Sequence, residues 1–326
     1  METSRNVLIT GATGFIGQAL HNSLKLNKNI TISTLASRKK EHSLENPHGT
    51  LPPESPLYSD NLFLQGIDTV IHLAGRAHVL KERSENPLNL YRRDNVDSTL
   101  ELAKISINSN VRRFIFISSI GVNGPYTHGA AFCELSPESP VADYAISKWE
   151  AEQQLHTLVQ NSKMELVIIR PPLVYAGHAP GNFQRLMKLI DTGIPLPFAS
   201  TNNARSMIAL ENLVDFITLC IYHQAAANET FLIADDEAFS TTEIVRYLAS
   251  GMSRDIRFIP LPKIFIKLTA KTLGMQVAYH QLFQSLIIDS RKAQRLLGWK
   301  PPLQANKALF EAGLNYKKSH TRQDPI

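Results

Sequence analysis

The sequence has few cysteines and no long apolar run. Cys133 and Cys220 are the only two cysteines in 326 residues, too few for a disulfide framework or a cysteine-based metal site. No apolar stretch reaches the roughly 18 residues that a membrane-spanning helix needs, and the longest, 166–175, is interrupted by an Arg-Pro-Pro run. No basic segment followed by an apolar one opens the sequence, as a secretion signal would. We therefore expect a cytoplasmic protein with no integral membrane segment and no metal.

Basic residues form no continuous surface stripe. The net charge is +5 at pH 7, but Lys and Arg occur singly and in pairs, without the interleaved aromatic residues of a nucleic-acid interface. This pattern favours small anionic ligands such as nucleotides. We expect no nucleic-acid partner.

Short apolar strands alternate with helices in the first half of the chain. The residue pattern predicts strands at 7–10, 30–35, 68–73, 113–118 and 166–169, and helices at 14–26, 94–109 and 141–161. Nearly continuous apolar strands are typical of a parallel sheet covered on both faces. The predicted fold class is therefore α/β, a Rossmann doubly wound parallel sheet with a smaller, mostly helical C-terminal substrate lobe.

The second half of the chain is less regular. The residue pattern predicts helices at 182–191 and 213–223, strands at 207–210 and 231–233, and mostly helical structure after Ser240. We expect three regions. The nucleotide-binding domain would comprise 1–175 and 205–234, the substrate lobe 176–204 and 235–318, and a disordered tail 319–326.

A glycine-rich turn follows the first predicted strand. It reads Thr10-Gly11-Ala12-Thr13-Gly14-Phe15-Ile16-Gly17 and leads into a predicted helix. In dinucleotide-binding turns the first glycine permits the tight turn, the second admits the pyrophosphate, and the third lets the helix pack closely. The helix N-terminus then faces the phosphate charge. The alternative is a glycine-rich turn without a ligand.

Tyr144 and Lys148 are the second informative pair. Residues four apart lie on one face of a helix, so the ammonium of Lys148 is expected to lower the pKa of the Tyr144 phenol, which is about 10 when unperturbed. The spacing alone is common. Downstream of a dinucleotide turn, it predicts hydride transfer with Tyr144 moving the proton.

Several further motifs accompany these two. They are His72-Leu73-Ala74-Gly75, Asn95-Val96-Asp97-Ser98-Thr99, Ser118-Ser119, Arg170-Pro171-Pro172-Leu173-Val174-Tyr175, Arg205-Ser206 and Leu297-Gly298-Trp299. With them the chain resembles, over nearly its whole length, the extended short-chain dehydrogenases/reductases of the NAD-dependent epimerase/dehydratase family. Within that family it most resembles bacterial enzymes that make UDP-N-acetylquinovosamine-type sugars for surface polysaccharides such as lipopolysaccharide.

The resemblance implies a catalytic trio of Ser119, Tyr144 and Lys148. Ser119 would hydrogen-bond the reacting oxygen, Tyr144 would be the general acid and base, and Lys148 would also bind the nicotinamide ribose. A strand-end cap is the alternative role for Ser119, and the adjacent Ser118 leaves that assignment open by one residue.

The resemblance also implies a set of cofactor-binding residues. These are Gly11, Thr13, Gly14, Phe15, Ile16, Gly17, Ser37, Arg38, Leu73, Ala74, Gly75, Asn95, Ile117, Tyr144, Lys148, Pro171 and Val174. The segment 34–39 has no carboxylate for an adenosine ribose, whereas Ser37 and Arg38 could hold a 2′-phosphate. This favours NADP (NADPH) and leaves NAD open. The alternative is a solvated basic turn.

The substrate side is implied to use Arg76, His78, Ser119, Asn123, Asn182, Arg205 and Gln281. Arg205 matches an arginine that grips the UDP diphosphate in related enzymes, and a surface arginine is the alternative. A helix N-cap is the alternative for Asn182. Relatives usually carry a second diphosphate arginine shortly before Asp289, but here Gln281 or His280 occupies that region.

Three reactions compete. A 4,6-dehydratase is expected to carry an Asp-Glu pair after the catalytic hydroxyl, and Ile120 and Gly121 stand there instead. The favoured function is NADPH-dependent reduction of a UDP-4-keto-6-deoxy-N-acetylhexosamine, giving a UDP-QuiNAc-type product. The alternative is an NAD-dependent UDP-hexose or UDP-HexNAc 4-epimerase. Reduction of a non-nucleotide substrate and a non-catalytic NADP-sensing protein are more remote. Relatives are often dimers, so a homodimer is expected.

Overall fold

The computed structural model describes residues 4–35, 61–76, 86–199, 201–261 and 276–321, together with Leu268 and Thr272. Contacts divide the chain into two compact units. The first unit comprises Met1–Val122, Pro140–Arg170 and Phe216–Phe231, and the second comprises Asn123–Ser139, Pro171–Asp215 and Leu232–Ile326.

The borders of these units differ from those of the predicted domains. The second unit includes four segments that the sequence pattern assigns to the nucleotide-binding domain: 123–139, 171–175, 205–215 and 232–234. Backbone pairing between distant segments is the reason. The Phe132 N–H donates to the Ile287 carbonyl, and Arg205 forms bridges with Phe239 and Leu286.

A parallel sheet lies in the first unit. Its strands are β1 (Arg5–Thr10), β2 (Ile30–Leu35), β3 (Thr69–His72), β4 (Arg113–Ile117), β5 (Glu165–Arg170) and β8 (Glu229–Leu232), in the spatial order β2-β1-β3-β4-β5-β8. Strands β1 to β5 pair in parallel. Every residue of β3 and β4 is buried, as the continuous apolar strands predict. The α/β fold class is confirmed.

Helices pack against this sheet. They are α1 (Phe15–Leu24), α2 (Pro87–Arg92), α3 (Ser98–Asn108) and α4 (Asp143–Val159). One apolar cluster joins the sheet to α3 and α4, with Phe114 and Phe116 from β4, Leu102 from α3, and Ala151 and Leu155 from α4. This packing fixes the position of α4 beside the carboxyl ends of β3 and β4.

The helix predicted at 94–109 begins earlier and is interrupted. Helical structure starts at Pro87, which occupies the first turn of α2, where proline is favoured. A π-helical turn, Arg93–Asp97, then separates α2 from α3. Such turns often occur at functional sites. Here the turn carries Asn95, whose side chain bonds outside its own helix.

The second unit is mostly helical. It contains the short pair β6 (Val174–Tyr175) and β7 (Ile208–Ala209), with α5 (Asn182–Asp191), α7 (Thr241–Gly251), α8 (Gln276–Phe283), α9 (Arg291–Leu297) and α10 (Ala305–Thr321). Helix α6 (Leu210–Tyr222) contributes residues to both units. Helix α7 starts with a capping box between Ser240 and Glu243. Helix α10 continues to Thr321, past the predicted end of order at 318, and its last turns include the stacked rings of Tyr316 and His320, with centroids 4.1 Å apart.

Candidate active site

The glycine loop follows β1 and leads into α1. Gly11 has a φ of +70°, and a Cβ atom there would lie 2.7 Å from the backbone nitrogen of Ala74, so the position requires glycine. A Cβ at Gly17 would collide with the Gly11 carbonyl oxygen, which shows how closely α1 packs against the loop. Helix α1 begins at Phe15, directly after Gly14. The Gly14 N–H donates to the Gly11 carbonyl at 2.9 Å, and no side chain of the cap residue bonds to the helix N-terminus, a position that favours an anion such as a diphosphate.

The residues after β3 lie beside this loop. The Ala74 N–H donates to the Thr10 hydroxyl at 3.3 Å. A Cβ at Gly75 would lie 2.9 Å from Asn95 Oδ1 and 3.6 Å from Lys148 Nζ. The structure thus brings together predicted cofactor residues from the loop after β1, the end of β3, the π-helical turn and α4.

Tyr144 and Lys148 lie in the first turns of α4. Lys148 is buried, and its Nζ donates to the Ile117 carbonyl at 2.8 Å. The same ammonium lies 4.4 Å from the centre of the Phe116 ring, a favourable position for a cation. The hydroxyl of Tyr144 forms no hydrogen bond within the described ranges, so it is free to bond with a ligand.

The two adjacent serines differ in exposure. Ser118 is buried, and its N–H donates to the Ile169 carbonyl within the sheet. Ser119 is partly exposed, and its Oγ accepts from the Gly121 N–H at 3.1 Å. A Cβ at Gly121 would lie 3.3 Å from Ser119 Oγ and 3.2 Å from Ala145 Cβ. The Ser119 hydroxyl is therefore close to the turn of α4 that carries Tyr144.

A second tyrosine, Tyr91, contacts Tyr144 and belongs to none of the sequence motifs. The rings of Tyr91 and Tyr144 meet edge-on, with centroids 6.4 Å apart. The guanidinium of Arg76, a predicted substrate residue, lies 5.7 Å from the Tyr91 ring centre and 3.4 Å from the Asp94 carboxylate. The sequence gives little signal for Tyr91, because its contact depends on where α2 packs against α4.

Arg205 is buried in the second unit without a carboxylate partner in the described part of the chain. Its Nη1 donates to two carbonyl oxygens, at 3.0 Å to Gln284 and 3.4 Å to His280. Burial lowers the pKa of Arg205 to about 10. A buried cation without a counter-ion is unfavourable, so this position favours an anionic ligand over the alternative of a surface arginine.

Asn182 and Gln281 are in direct contact. Asn182 Nδ2 donates to Gln281 Oε1 at 2.6 Å, and Asn182 Oδ1 accepts from Arg185. The cap position of α5 belongs to Gly181, so Asn182 does not serve as the N-cap. Two predicted substrate residues from distant parts of the sequence therefore form one polar pair.

Other predicted site residues have different surroundings. Asn123 is buried, and its side chain donates to the Ser136 carbonyl at 3.2 Å. Val174 lies in β6 opposite Ile208. Ser37, Arg38 and His78 lie outside the described residues.

Among the described residues, no group of three or more His, Cys, Asp or Glu side chains could hold a metal ion. No described helix has the length and apolar character that crossing a membrane requires.

The sequence of residues 7–234 matches the NAD dependent epimerase/dehydratase family. The chain belongs to this family. It is 38% identical over 323 residues to a UDP-glucose 4-epimerase from Vibrio cholerae, covering 98% of this chain and 97% of the relative. It is also 26% identical, over 98% of both chains, to an N-acetyl-alpha-D-glucosaminyl-diphospho-ditrans,octacis-undecaprenol 4-epimerase from Escherichia coli O157:H7.

Solved structures of family members share the fold. The UDP-glucuronic acid 4-epimerase of Bacillus cereus, in complex with NAD, superposes with a TM-score of 0.76 at 22% identity over 98% of this chain and 99% of that one. A UDP-N-acetylglucosamine 4-epimerase from Methanobrevibacter ruminantium gives 0.74 at 19% identity, with 98% and 99% coverage. The resemblance read from the motifs is confirmed. The protein is an enzyme of the extended short-chain dehydrogenase/reductase type.

Burial shifts the pKa values of Tyr144 and Lys148, the two candidate catalytic residues on α4. Burial, and secondarily Tyr91, raises the pKa of Tyr144 to about 12. Burial lowers the pKa of Lys148 to about 8, and Glu152 partly opposes that change. The Lys148 ammonium donates to the Ile117 carbonyl, and that Lys148 lowers the pKa of Tyr144 stays a prediction.

Proposed function

We propose that this enzyme is a UDP-sugar 4-epimerase. The observation that carries the proposal is the 38% identity to a UDP-glucose 4-epimerase over nearly the full length of both chains. The Tyr144 hydroxyl, unbonded among the described residues and on the helix that also carries the buried ammonium of Lys148, supplies the proton transfer that this reaction needs. An epimerase of this kind oxidises C4 of the sugar and then reduces it from the opposite face.

In this proposal the chain's own residues move the proton and the cofactor exchanges the hydride. Bound NAD supplies the hydride acceptor and donor for C4. The Tyr144 oxygen takes the proton of the 4-hydroxyl and later returns it. The Ser119 hydroxyl donates a hydrogen bond to the same sugar oxygen. Lys148 contributes positive charge beside the phenolate.

The high pKa of Tyr144 has a consequence for this mechanism. At about 12, the phenol is protonated at neutral pH and is a weak base. A positive charge close to a phenol lowers its pKa, and the oxidised nicotinamide ring carries one. We therefore expect Tyr144 to titrate at a lower pH in the NAD complex than in the free protein.

The second unit supplies candidates for binding the UDP part of the substrate. Arg205 offers a buried, uncompensated guanidinium, and guanidinium groups bind phosphate oxygens in a bidentate manner. The polar pair of Asn182 and Gln281 offers further neutral hydrogen-bonding groups. We assign Arg205 to the diphosphate and the polar pair to neutral parts of the nucleotide.

NADPH-dependent reduction of a UDP-4-keto-6-deoxy-N-acetylhexosamine is the second candidate. Two sequence features favour it. The segment after β2 carries Arg38 and no carboxylate, which suits the 2′-phosphate of an exchangeable NADPH. Gln281 or His280 occupies the region where relatives usually have a diphosphate arginine, so the substrate is expected to be held differently.

One experiment separates the two candidates. The protein is incubated with UDP-glucose and UDP-GlcNAc, with and without NAD, and separately with NADPH and the 4-keto nucleotide sugar. Interconversion of 4-epimers without net consumption of NAD supports the epimerase. Stoichiometric loss of NADPH absorbance with only the 4-keto sugar would overturn the epimerase in favour of the reductase. Turnover that free UDP does not inhibit would contradict the nucleotide-sugar assignment itself.

A further inference from the structure

A chain of mostly buried hydrogen bonds, joined through the residue Asn95, runs from the glycine loop to helix α4. The Thr10 hydroxyl lies 2.7 Å from His72 Nδ1, and His72 Nε2 lies 2.8 Å from the Thr99 hydroxyl. Thr99 Oγ1 donates to the Asn95 carbonyl at 2.7 Å. Thr10, at the end of β1, is thereby joined to α3 and to the π-helical turn.

The hydrogen bonds continue from the Asn95 side chain into α4. Asn95 Nδ2 donates to Ser147 Oγ at 2.9 Å, and Ser147 Oγ donates to the Tyr144 carbonyl at 2.8 Å. Asn95 also holds both backbone groups of Arg76, with bonds of 2.7 Å to the N–H and 3.1 Å to the carbonyl. Ser147 lies between the two predicted catalytic residues of α4.

The donors and acceptors of this chain agree in only one arrangement. The Thr99 hydroxyl donates its only proton to the Asn95 carbonyl, so its oxygen must accept from His72 Nε2. A neutral imidazole protonated at Nε2 accepts at Nδ1, and the Thr10 hydroxyl is the donor there. Thr10 Oγ1 in turn accepts from the Ala74 N–H. Each hydroxyl thus has both a donor and an acceptor partner, as a rigid buried network requires.

The surroundings of His72 keep this arrangement fixed. Its side chain is fully buried, and the rings of Phe114 and Phe116 both lie with centroids 5.9 Å from its own. Burial, and secondarily the charge of Lys148, lowers the pKa of His72 to about 3. The imidazole therefore stays neutral at physiological pH, with one defined tautomer.

We propose that His72, Thr99 and Ser147 are positioning residues that fix the separation between the glycine loop and the helix carrying Tyr144 and Lys148. They act through other residues and are not catalytic themselves. The proposal extends the assigned cofactor site. Any effect of these residues on turnover rests on the proposed function. Their effect on cofactor affinity requires only that the enzyme binds a nicotinamide dinucleotide.

Variants of Thr99 and Ser147 test the proposal, because these residues do not touch each other. Thr99→Val removes both bonds of the hydroxyl with little change in shape, Thr99→Ser restores the hydroxyl, and Ser147→Ala removes the last link. Ser106→Ala is the matched control. Ser106 is also fully buried on α3 and donates to a carbonyl four residues earlier, but it lies outside the chain of bonds.

Two quantities are measured. One is the dissociation constant for NADH and NADPH, from nicotinamide fluorescence, and the other is the thermal midpoint of unfolding. We expect Thr99→Val and Ser147→Ala each to weaken binding of the preferred dinucleotide about tenfold. The double variant should lose about the same factor, since either change breaks the same chain. Thr99→Ser should recover most of the affinity. Ser106→Ala should lower the midpoint comparably and leave affinity unchanged.

Two results would overturn the proposal. One is a lowered thermal midpoint in Thr99→Val and Ser147→Ala with unchanged dinucleotide affinity, which is the signature of a purely structural role. The other is a double variant about a hundredfold weaker, which would show that the two sites act independently. Neither readout uses a sugar, so failure of the UDP-sugar proposal leaves this test intact.

Discussion

Tyr144 in the first unit and Tyr175 in the second differ in what their hydroxyls do. In the first unit the Tyr144 hydroxyl has no hydrogen-bond partner among the described residues. In the second, the Tyr175 hydroxyl donates to the Asp235 carboxylate at 2.7 Å, and Asp235 also accepts from Asn212 and from the Ala209 N–H. A phenol whose bond is already made stabilises its fold, whereas one left free is available to a substrate.

The largest expected effect comes from removing the free phenol. Tyr144→Phe should lower kcat by about 10²- to 10⁴-fold, the usual contribution of a general acid–base group. The thermal midpoint and the dinucleotide dissociation constant should stay close to those of the parent. Steady-state kinetics and nicotinamide fluorescence on the same preparation measure both. Retained turnover would show that another group moves the proton.

The second largest effect is expected from breaking the buried ion pair of the first unit. Arg170 and Glu152 lie 2.5 Å apart with side chains 4% and 1% exposed. Glu152→Gln leaves the buried guanidinium without its carboxylate, and breaking such a pair costs about 3–5 kcal/mol. The matched change in the second unit is Asp191→Asn, which breaks an exposed pair with Arg254 at 2.9 Å and should cost about 0–1 kcal/mol.

Urea unfolding measures the free energy for both of these variants. Equal losses in Glu152→Gln and Asp191→Asn would contradict the view that burial, and not the pairing distance, decides the effect.

Removing the bonded phenol should affect stability but not chemistry. Tyr175→Phe leaves a buried carboxylate short of one donor, which costs about 1–3 kcal/mol. The kcat of the folded fraction should match that of the parent, in contrast to Tyr144→Phe. Active-site titration with the dinucleotide, combined with urea unfolding, separates the two quantities. A fall in kcat comparable to that of Tyr144→Phe would remove the distinction between the two tyrosines.

One buried group in each unit should make stability respond to pH, and the two groups should act in opposite directions. The pKa of His72 is lowered from 6.5 to about 3, so the unfolded chain binds more protons, and this group's stabilisation is lost as the pH falls below 6.5. Burial raises the pKa of Asp235 from 3.8 to about 6, so its contribution is present at low pH and lost as the pH rises through 6. Each slope approaches about 1.4 kcal/mol per pH unit.

Variants isolate these two slopes between pH 4.5 and 6. In the parent, His72 makes the free energy of unfolding rise with pH. The His72→Gln variant lacks this rise, so its free energy of unfolding relative to the parent should fall as the pH rises. That of Asp235→Asn should rise with pH for the converse reason. Urea unfolding at several pH values supplies the differences. Parallel curves for parent and variants would show that neither group titrates as described.

Local spacing explains what the sequence could predict about the site. The glycine loop follows β1 directly, and Tyr144 and Lys148 share one helix face, so nearby residues alone indicate their arrangement. Pro87 signals the start of α2, but the π-helical turn that orients Asn95 depends on bonds to Arg76 and Ser147. The chain through His72 and Thr99 joins two strands and a helix, and no sequence period reveals it.

The substrate side was harder to predict for a related reason. Asn123 comes soon after a strand in sequence, as a pocket residue would, but its side chain donates to the Ser136 carbonyl, within a segment whose backbone pairs with 285–289. Asn182 and Gln281 are 99 residues apart and still form one bond. Spacing along the chain carries no information about such contacts.

The most direct test of hydride transfer at C4 uses UDP-glucose deuterated at that carbon, with the product followed by NMR. If the enzyme takes a hydride from C4 and returns it while Tyr144 handles only the oxygen-bound proton, the deuterium stays at C4 in both epimers. Tyr144→Phe should then show neither epimer formation nor loss of label. Loss of deuterium to solvent water during turnover would contradict the account.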